Sequence, residues 1–580
     1  MVTPSLLGAL VARAPDAAYA RAGRLSCAQR MALSVRYAAP YMISRGEDSM
    51  RVTGLGHAGL FIETSSGSVL CDPWVNPAFF ASWFPFPDNS GLDWDTFGRA
   101  DYLYVSHLHR DHFDPELLRR HVRKNITVLL PDYPTDELER ELAALGFHTF
   151  LRTRSGVPVD CAGLRIMITS LTGPSDGPIG DSALSLDDGR TVILNQNDAH
   201  PLDIDKLREF GTVHGYFTQF SGAIWWPMVY DLPQPARKEF ARRKRVGQTH
   251  RALRYIDAVR AAHVFPNAGP PCFLAEELFE FNGQGRDGDS IFTDQMEFLT
   301  ELRRVRPDVS AHLLLPGTVA ELDGSRCELT HRYSSAEITH IFGEKISYLR
   351  EYQARAKPAL TRERASRAPV PVDLFEQLKQ WWEPLLKRAD NICAGVGGPL
   401  RLDIGERSLV VDFLAREVRE FAGEHCRYRM SIAPDLVATN LARREVDWSN
   451  SLFLSLRFKA SRVGHYNEYV YVFFKCLSEE RIDYVENWYD ERTDNGAEIN
   501  LDGWWVQRRC PHLRADLAKF GSVCDGILTC ALHGWRFDLA TGRCLTAAGH
   551  PIRATRSAAA LMPPPADEHD QGRQQAKKDH

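Results

Sequence analysis

The chain has 580 residues, which at roughly 150 residues per domain predicts about three to four folded units. Apolar residues make up 44% of it and charged residues 25%, proportions that exclude a mostly disordered or fibrous chain. The net charge of −5, without a nucleic-acid-binding motif, argues against nucleic acid as a partner. No apolar run is long enough for a membrane span, the N-terminus lacks the basic start of a signal peptide, and twelve cysteines are too sparse for a disulfide scaffold. We therefore expect a soluble, cytoplasmic, multidomain protein, with a homo-oligomer left open.

The N-terminal part of the chain alternates strand-like and helix-like segments. Residues 1–48 are rich in Ala and Arg and predict a helical segment. Residues 49–356 predict an α/β domain, because short β-rich runs alternate there with helical patterns. The predicted strands are 59–64, 68–71, 102–106, 127–130, 164–169, 183–186 and 191–194, and the predicted helices are 115–122, 136–145, 235–262 and 336–356.

The C-terminal part predicts two smaller modules. Residues 357–372 are rich in Arg, Ala and Pro and predict a linker. Residues 373–477 predict an α+β module of unknown role, with strands at 452–459 and 468–475. Residues 478–556 predict a small all-β domain, and the polar segment 557–580 predicts a disordered tail.

A dense group of metal-binding side chains follows the predicted strand 102–106. Asp114 and Pro115, a good N-cap and first helical residue, place this group on a tight loop between a strand and a helix. Imidazole and carboxylate ligands suit zinc, iron or manganese, so the loop predicts a metal site. Its four candidate ligands are His107, His109, Asp111 and His112.

The loop resembles the His-x-His-x-Asp-His signature of the metallo-β-lactamase superfamily. The resemblance extends upstream to Gly56-His57 and Cys71-Asp72, and downstream to Asn197-Asp198 after a strand. It implies an αββα sandwich with the metal site at one edge of the sheets. The implied ligands are His107 and His109 for one metal, Asp111 and His112 for a second, and Asp198 as the bridge between them.

The ligand set departs from the family pattern. The family usually supplies a further histidine before the bridging aspartate, but residues 155–185 contain none. Asp176 or Asp181 lies nearby, either as a ligand or as a turn residue. The last family histidine is assigned to His263, with His200 and His214 as alternatives. Two histidines with one carboxylate suit ferrous iron and O₂, so we expect one or two iron ions, with zinc as the alternative.

A second metal centre is indicated near the C-terminus. Cys510 and His512 are separated by one residue, and Cys530 and His533 by two, with seventeen residues between His512 and Cys530. Two Cys/His pairs at this spacing are typical of a Rieske [2Fe–2S] cluster, in which the cysteines hold one iron and the histidines the other. A Cys₂His₂ zinc site is the alternative.

The sequence around these pairs resembles oxygenase-type Rieske domains. Gly534-Trp535 follows His533, and Gly503-Trp504 lies in the hairpin expected before Cys510. Respiratory Rieske proteins carry an extra cysteine pair, whose positions are occupied here by Ala515 and Leu532. The resemblance therefore implies that no disulfide joins the two cluster loops.

The two predicted centres together indicate oxidative chemistry. A Rieske cluster moves single electrons and binds no substrate, so its partner site must lie upstream, at the histidine loop. The CMP-N-acetylneuraminic acid hydroxylases and their bacterial relatives join these modules. The chain resembles them at Phe220-Ser221-Gly222 and around Pro266-Asn267-Ala268, although its Rieske block comes last. The resemblance implies hydroxylation of a nucleotide sugar; another small polar metabolite is an equal candidate.

The main hypothesis is a Rieske-dependent non-haem iron monooxygenase that uses O₂ and a small-molecule substrate. It takes electrons originating from NAD(P)H through a ferredoxin, a cytochrome or a reductase. The alternative is a metallohydrolase with a redox-sensing Rieske domain, and a weaker reading is an electron-transfer protein. The basic segment 237–254 could hold a phosphate, dock an acidic redox protein or be an exposed helix face.

Overall fold

The computed structural model describes residues 36–37, 49–283, 290–491 and 496–557. The N-terminal half contains two sheets that face each other. In chain order its strands are β1 (Arg36–Tyr37), β2 (Met50–Gly56), β3 (Gly59–Thr64), β4 (Gly67–Cys71), β5 (Tyr102–Tyr104), β6 (Thr127–Leu130), β7 (Thr149–Arg152), β8 (Val159–Cys161), β9 (Leu164–Ser170), β10 (Ser182–Asp187), β11 (Val192–Asn197), β12 (Gly215–Gln219), β13 (His263–Asn267), β14 (Val319–Asp323) and β15 (Arg326–His331).

Helices cover the outer faces of the sheets. The helices of this half are α1 (Trp94–Phe97), α2 (Pro115–His121), α3 (Glu137–Ala144), α4 (Ile204–Phe210), α5 (Gln234–Val259), α6 (Gln295–Val305), α7 (Ser335–Gly343) and α8 (Lys345–Ala365), with a 3₁₀ helix at Glu276–Asn282. Of these, α7 and α8 pack on the loops around Phe84 and Cys272.

The first sheet has the strand order β1-β15-β14-β2-β3-β4-β5-β6-β7, and the second has the order β13-β12-β11-β10-β9-β8. Alternate residues of each strand point to opposite faces, so each sheet has an inner and an outer apolar surface. Leu129 packs between the sheets, whereas its neighbour Val128 packs outward with α2 and α3. In the second sheet Ile193 lies inside and Leu194 outside, under α4 and α5. The result is the predicted αββα metallo-β-lactamase-like sandwich.

The middle module is built on a five-stranded sheet. Its strand order is β18-β17-β16-β19-β20, and its apolar core continues into the first domain through Trp74 and Trp83. Its elements are α9 (Leu374–Arg388), α10 (Asp390–Val396), β16 (Pro399–Ile404), β17 (Arg407–Asp412), β18 (Glu417–Glu420), β19 (Tyr428–Ile432), α11 (Pro434–Ala442), a 3₁₀ helix at Trp448–Asn450, β20 (Phe458–Arg462), α12 (Glu468–Lys475) and α13 (Glu479–Asp490).

The C-terminal domain is small and β-rich, as predicted. It packs on the outer face of the second sheet, where Phe520 meets Tyr255 of α5 with ring centroids 5.4 Å apart. Its two three-stranded sheets have the orders β21-β22-β26 and β23-β24-β25. The elements are β21 (Glu498–Leu501), β22 (Trp504–Gln507), α14 (Leu517–Phe520), β23 (Gly521–Cys524), β24 (Ile527–Cys530), β25 (Trp535–Asp538) and β26 (Ala554–Arg556).

Several local predictions are wrong. The predicted strand 468–475 is helix α12, capped by Asn467 and buried on almost every side, so its apolar pattern does not distinguish a strand from a helix. The predicted strand 452–459 is mostly turns, and β20 begins only at Phe458. Residues 357–365, predicted as linker, continue α8 through Pro358, and the predicted helix 336–356 is two helices that meet at Glu344.

Two terminal predictions fall largely outside the described residues. Of the predicted helical segment 1–48, residues 36–37 instead form β1, which pairs in parallel with β15, and residues 1–35 and 38–48 are not described. Of the predicted tail, residues 558–580 are not described. Within the described chain, every helix is too short or too polar to cross a lipid bilayer.

Candidate metal centres

The metal loop leaves β5 at one edge of the sandwich, where several strand ends converge. β4 and β5 are parallel neighbours in one sheet, and β11 and β12 are parallel neighbours in the other. The residues after these strands meet at this edge, which brings Asp72 and Asp198 to the loop. His57, Asp72 and Asn197 have φ values of 51°, 40° and 41°, and backbone held in this left-handed region is common at functional sites.

The carboxylate of Asp72 fixes the start of the loop. It accepts hydrogen bonds from the backbone N–H of Ser106 at 2.7 Å and from the Ser106 hydroxyl at 2.7 Å. It also lies 3.0 Å from Nδ1 of His112. The Ser106 hydroxyl in turn lies 2.9 Å from Nδ1 of His107. These contacts hold both imidazoles by Nδ1 and leave Nε2 of each free to face the site, an arrangement usual for metal-binding histidines.

One group of candidate ligands combines His107, His109 and Asp181. One ligand atom from each lies within 4.8 Å of the others, and Nε2 of His107 is 3.4 Å from Oδ1 of Asp181. Asp181 immediately precedes β10, so the loop between β9 and β10 places its carboxylate where the family pattern usually has a histidine. Sequence reasoning found this residue but could not separate it from a turn residue.

A second group lies beside the first. Nε2 of His112 is 3.4 Å from Oδ2 of Asp198 and 3.8 Å from Oδ2 of Asp111. His57, on the turn between β2 and β3, approaches the same carboxylate of Asp111 at 2.9 Å. His112 and Asp198 also group with His107, so Asp198 lies between the two sets, as the resemblance implies for a bridging ligand.

The electrostatics of the loop favour a bound cation. Burial, followed by the neighbouring charges of His112 and His109, lowers the pKa of His107 well below its usual range. Burial and Lys475 lower the pKa of His109 to about 4, so both imidazoles are neutral near pH 7, as metal ligands must be. Burial, with Asp198 and Asp176 nearby, raises the pKa of Asp181 to about 8. A cation among these carboxylates would relieve both their repulsion and their desolvation.

Unsatisfied buried atoms support the same conclusion. Nε2 of His107, Nε2 of His112 and Oδ1 of Asp111 are buried without a hydrogen-bond partner among the described residues. Buried polar atoms without partners are rare in folded proteins, and each one calls for a bound ligand or water. The donor set therefore fits one or two transition-metal ions.

His263, the predicted last ligand, lies elsewhere. It is the first residue of β13. The metal loop lies at the opposite end of the parallel strands β12 and β13, near Asn267. His263 contacts His312 at 3.0 Å and the carbonyl of Ser325 at 2.8 Å, and it is not among the grouped ligands of the loop. The prediction is wrong because the order of residues along β13 decides which sheet edge a side chain reaches.

Neither alternative for this ligand joins the loop groups. Nδ1 of His214 accepts a hydrogen bond from the backbone N–H of Val192 at 2.9 Å, at the start of β11. His200 packs near Tyr255 of α5, with ring centroids 6.3 Å apart.

The four predicted cluster ligands converge in the C-terminal domain. Cys510 and His512 follow β22, Cys530 ends β24, and His533 lies on the turn between β24 and β25. The rings of the two histidines are perpendicular with centroids 4.7 Å apart, and His512 stacks on Trp535 at 4.0 Å. Nδ1 of each histidine is buried without a hydrogen-bond partner among the described residues, which fits coordination through these atoms.

The middle module contacts both centres, which the sequence did not reveal. The side chain of Asn450 donates to the carbonyl of Leu108 at 2.8 Å and accepts from the backbone N–H of Arg110 at 3.0 Å. It therefore fastens the metal loop. At the N-terminus of α12, Oε2 of Glu468 lies 3.0 Å from Nε2 of His512, and Oε1 lies 2.9 Å from Nε2 of His550.

A chain of polar contacts runs from the metal-loop side of the sandwich to α5, the helix on which the C-terminal domain packs. Nε2 of Gln219 donates to Oδ1 of Asp198 at 2.7 Å, and Oε1 of Gln219 accepts from Nη2 of Arg251 at 3.3 Å. The charge of Arg251 contributes to lowering the pKa of His533 to about 4, after the larger effect of burial. The two ligand-bearing loops also approach each other directly. Gly173 lies on the loop that carries Asp181, and Leu513 lies on the loop that carries His512. A Cβ built on Gly173 would be 3.0 Å from Cδ2 of Leu513, so the two loops are in close contact. The loops that carry the two candidate centres thus lie next to each other in one chain.

Two protein-family models match the C-terminal half of the chain. Residues 374–491 match the Rv3818-like, SCP2-like domain, and residues 503–555 match the Rieske [2Fe-2S] domain, which confirms the cluster prediction. The SCP2-like match includes α13, which lies beyond the limit of 477 predicted for the middle module.

A related protein matches this chain over most of its length. The chain is 50% identical over 516 residues to a protein of Mycobacterium tuberculosis named as a Rieske 2Fe-2S iron-sulfur protein, Rv3818, and the match covers 87% of this chain and 100% of the relative. It is 32% identical over 87 residues to the cytidine monophosphate-N-acetylneuraminic acid hydroxylase of Xenopus laevis, covering 15% of this chain and 14% of that protein. The solved structure of CmlA, a diiron β-hydroxylase from Streptomyces venezuelae, matches 48% of this chain and 55% of its own at 18% identity, with a TM-score of 0.31.

Proposed function

The chain belongs to the family of mycobacterial Rieske 2Fe-2S iron-sulfur proteins, and on that premise we propose that it is a Rieske-dependent non-haem iron monooxygenase. The observation that carries the proposal is that one chain holds a Rieske ligand set and a histidine–carboxylate site on loops that lie next to each other. A purely hydrolytic metal site has no use for an adjacent one-electron donor.

The ligand chemistry of the metal loop supports iron. His107, His109 and Asp181 form a two-histidine, one-carboxylate group, the set that is typical of iron sites that react with O₂. His112, Asp111 and His57 would hold a second ion, with Asp198 between the two. When bound, the [2Fe–2S] cluster supplies single electrons, and iron at the loop supplies the capacity to activate O₂.

The residues around the metals would position the ligands and control their protons. Asp72 and Ser106 orient His112 and His107 through Nδ1, and Asn450 holds the backbone of the loop. Asp181, with its raised pKa, would release its proton when a cation binds. Trp74 and Trp83, which belong to the core shared with the middle module, pack against the ring of His57 with centroids 5.0 and 6.5 Å away.

The substrate in this proposal is a small polar metabolite, with a nucleotide sugar among the candidates. The electron donor is a ferredoxin, a cytochrome or a reductase that draws on NAD(P)H. No step of the proposal requires a second copy of the chain, because one chain supplies both ligand sets.

The direct test is to count and type the irons in anaerobically purified protein. Iron and acid-labile sulfide analysis, with Mössbauer spectroscopy, should give a Rieske cluster and, in addition, iron with nitrogen and oxygen ligands. A His107→Ala variant should keep the cluster and lose the second species. Zinc as the only metal at the loop, with hydrolysis of an ester that requires no reductant, would contradict the proposal and favour a metallohydrolase.

A further inference from the structure

The inward face of α5 carries positive charge between the two metal centres. The spacing of three or four residues places Ala241, Lys244, Gln248, Arg251 and Tyr255 on one stripe of the helix. Ala241, Gln248 and Tyr255 are buried, and Lys244 and Arg251 are half-buried. The other face is exposed, and there Arg242 and Arg243 bond to Glu239. Arg242 and Arg243 on the exposed face of α5 therefore have an acidic partner, whereas Lys244 and Arg251 lie on its inward face.

The inward cations are poorly compensated. Lys244 forms no ion pair or hydrogen bond with any residue in the described part of the chain. Among the described residues, Arg251 donates to the neutral side chain of Gln219 at 3.3 Å, and the charge of Asp198 acts on it from beyond that contact. Burial, followed by the charge of Arg251, lowers the pKa of Lys244 to about 8, which shows that its environment disfavours the cation. An ammonium group held away from bulk water without an anion is costly, so such groups normally have an anionic partner.

A further polar atom on the same stripe lacks a partner. Gln248 is 4% exposed, and its Oε1 has no hydrogen-bond partner among the described residues. It lies one turn from both Lys244 and Arg251, so the stripe presents an unused acceptor beside two cations. An acceptor in this position would receive a hydroxyl or amide hydrogen of a bound molecule.

The position of this stripe connects it to the chemistry. Arg251 reaches the candidate bridging ligand Asp198 through Gln219. One turn further along the same stripe, Tyr255 packs on Phe520 of the C-terminal domain, with ring centroids 5.4 Å apart. A molecule bound along the stripe would lie between the metal-loop side of the sandwich and the C-terminal domain.

We infer that Lys244 and Arg251 form the anion-binding end of the substrate site, with Gln248 contacting a neutral part of the same molecule. The substrate class is therefore a small anion, a phosphate ester or a carboxylate. The role of this site in binding a substrate rests on the proposed function, but anion binding can be measured without turnover.

The test is calorimetric titration of the metal-loaded, full-length protein with inorganic phosphate and, separately, with malonate, at constant ionic strength. Tighter binding of one of the two anions identifies the headgroup. Lys244→Gln should weaken the binding by about tenfold or more, because it removes a charge-assisted contact. Arg251→Gln should weaken it similarly. Arg243→Gln is the matched control, since it removes a cation from the exposed face of the same helix, and it should bind as the native protein does.

Three results would overturn the inference: no binding of either anion, equal binding by the Lys244→Gln variant, or an equal loss in the Arg243→Gln variant. The second result would mean that the anion binds to the metals or elsewhere. The circular dichroism spectrum and iron content of each variant show that it is folded and loaded. Because none of these measurements involves O₂ or a reductant, a failure here leaves the test of the oxygenase proposal intact.

Discussion

Oε2 of Glu468 lies 3.0 Å from Nε2 of His512, so a residue of the SCP2-like module touches a predicted ligand of the Rieske cluster in another module. The Glu468 side chain is 4% exposed, and its second oxygen contacts His550. Burial opposes its ionisation, yet the charges of His512 and His550 hold its pKa well below the usual range. A carboxylate so placed strengthens the imidazole as a donor to the metal.

We predict that Glu468→Gln raises the reduction potential of the cluster by tens of millivolts. The negative charge stabilises the oxidised cluster, and glutamine removes that charge while keeping the size of the side chain. Spectroscopically monitored redox titration measures the potential. Glu479→Gln, an exposed position at the start of α13, is the control and should leave it unchanged. An unaltered potential in Glu468→Gln would show that the contact is only structural.

Asp181→Asn should remove most of the affinity for metal at the loop. The variant loses an anionic ligand 3.4 Å from His107 and leaves a neutral amide in its place. We expect iron bound outside the cluster to fall by about tenfold or more at limiting metal. Elemental analysis after dialysis against a chelator measures the loss. His263→Gln should retain the metal, because that residue lies at the far end of β13.

Cys510→Ser should abolish the visible and electron paramagnetic resonance (EPR) signals of the Rieske cluster. Cys510 is buried, and serine does not replace a thiolate ligand to iron. Cys524→Ser is a matched control, since that cysteine is exposed and free. Metal at the histidine loop should persist in both variants. Loss of the cluster in the Cys524→Ser variant would contradict the ligand assignment.

The middle module should lose stability in acid, at a buried ion-pair network beside its contact with the first domain. Nη1 of Arg481 lies 3.3 Å from Oδ2 of Asp447 and its guanidinium also pairs with Glu137 of α3. Although burial acts in the opposite direction, the charges of Lys475 and Arg481 lower the pKa of Asp447 to about 2. A folded-state pKa below the unfolded value stabilises the protein above about pH 4, and this contribution disappears as the pH falls towards 2.

Asp447→Asn should therefore cost about 2 kcal/mol near pH 7 and progressively less below pH 4. Thermal unfolding of the native and variant proteins across this pH range measures the difference. A difference that stays constant with pH would show that the pKa of Asp447 is the same in the folded and unfolded protein, and would contradict the prediction.

Local patterns in the sequence predicted most of the sandwich, because its strands are short, apolar and separated by turns. β3 and β6 begin and end where predicted. The pattern failed for α12, whose residues are aromatic and β-branched and would suit a strand equally well. Its signal was the capping residue Asn467, which accepts a hydrogen bond from the backbone N–H of Tyr469 at 3.0 Å.

Spacing alone identified candidate site residues only where they are close in sequence, and Asp198 and Asp181 were named only through the family resemblance. The histidine loop and the Cys/His pairs lie within short segments, so their spacing identified them. Asp181, Gln219 and Glu468 reach the centres from separate loops, a strand end and another module, and only the fold brings them there. His263 was predicted as a ligand from its residue type and its position in the sequence. It lies at the end of β13 that is far from the metal loop.

The central claim is that the cluster supplies electrons to the metal loop. To test it, the cluster is reduced anaerobically, excess reductant is removed, the protein is mixed with O₂, and the reduced-cluster EPR signal is followed by freeze-quench. The account predicts that the signal decays several times faster in the native protein than in Asp181→Asn, which keeps the cluster but lacks metal at the loop. Equal decay rates in the two proteins would show that O₂ oxidises the cluster directly and would contradict the account.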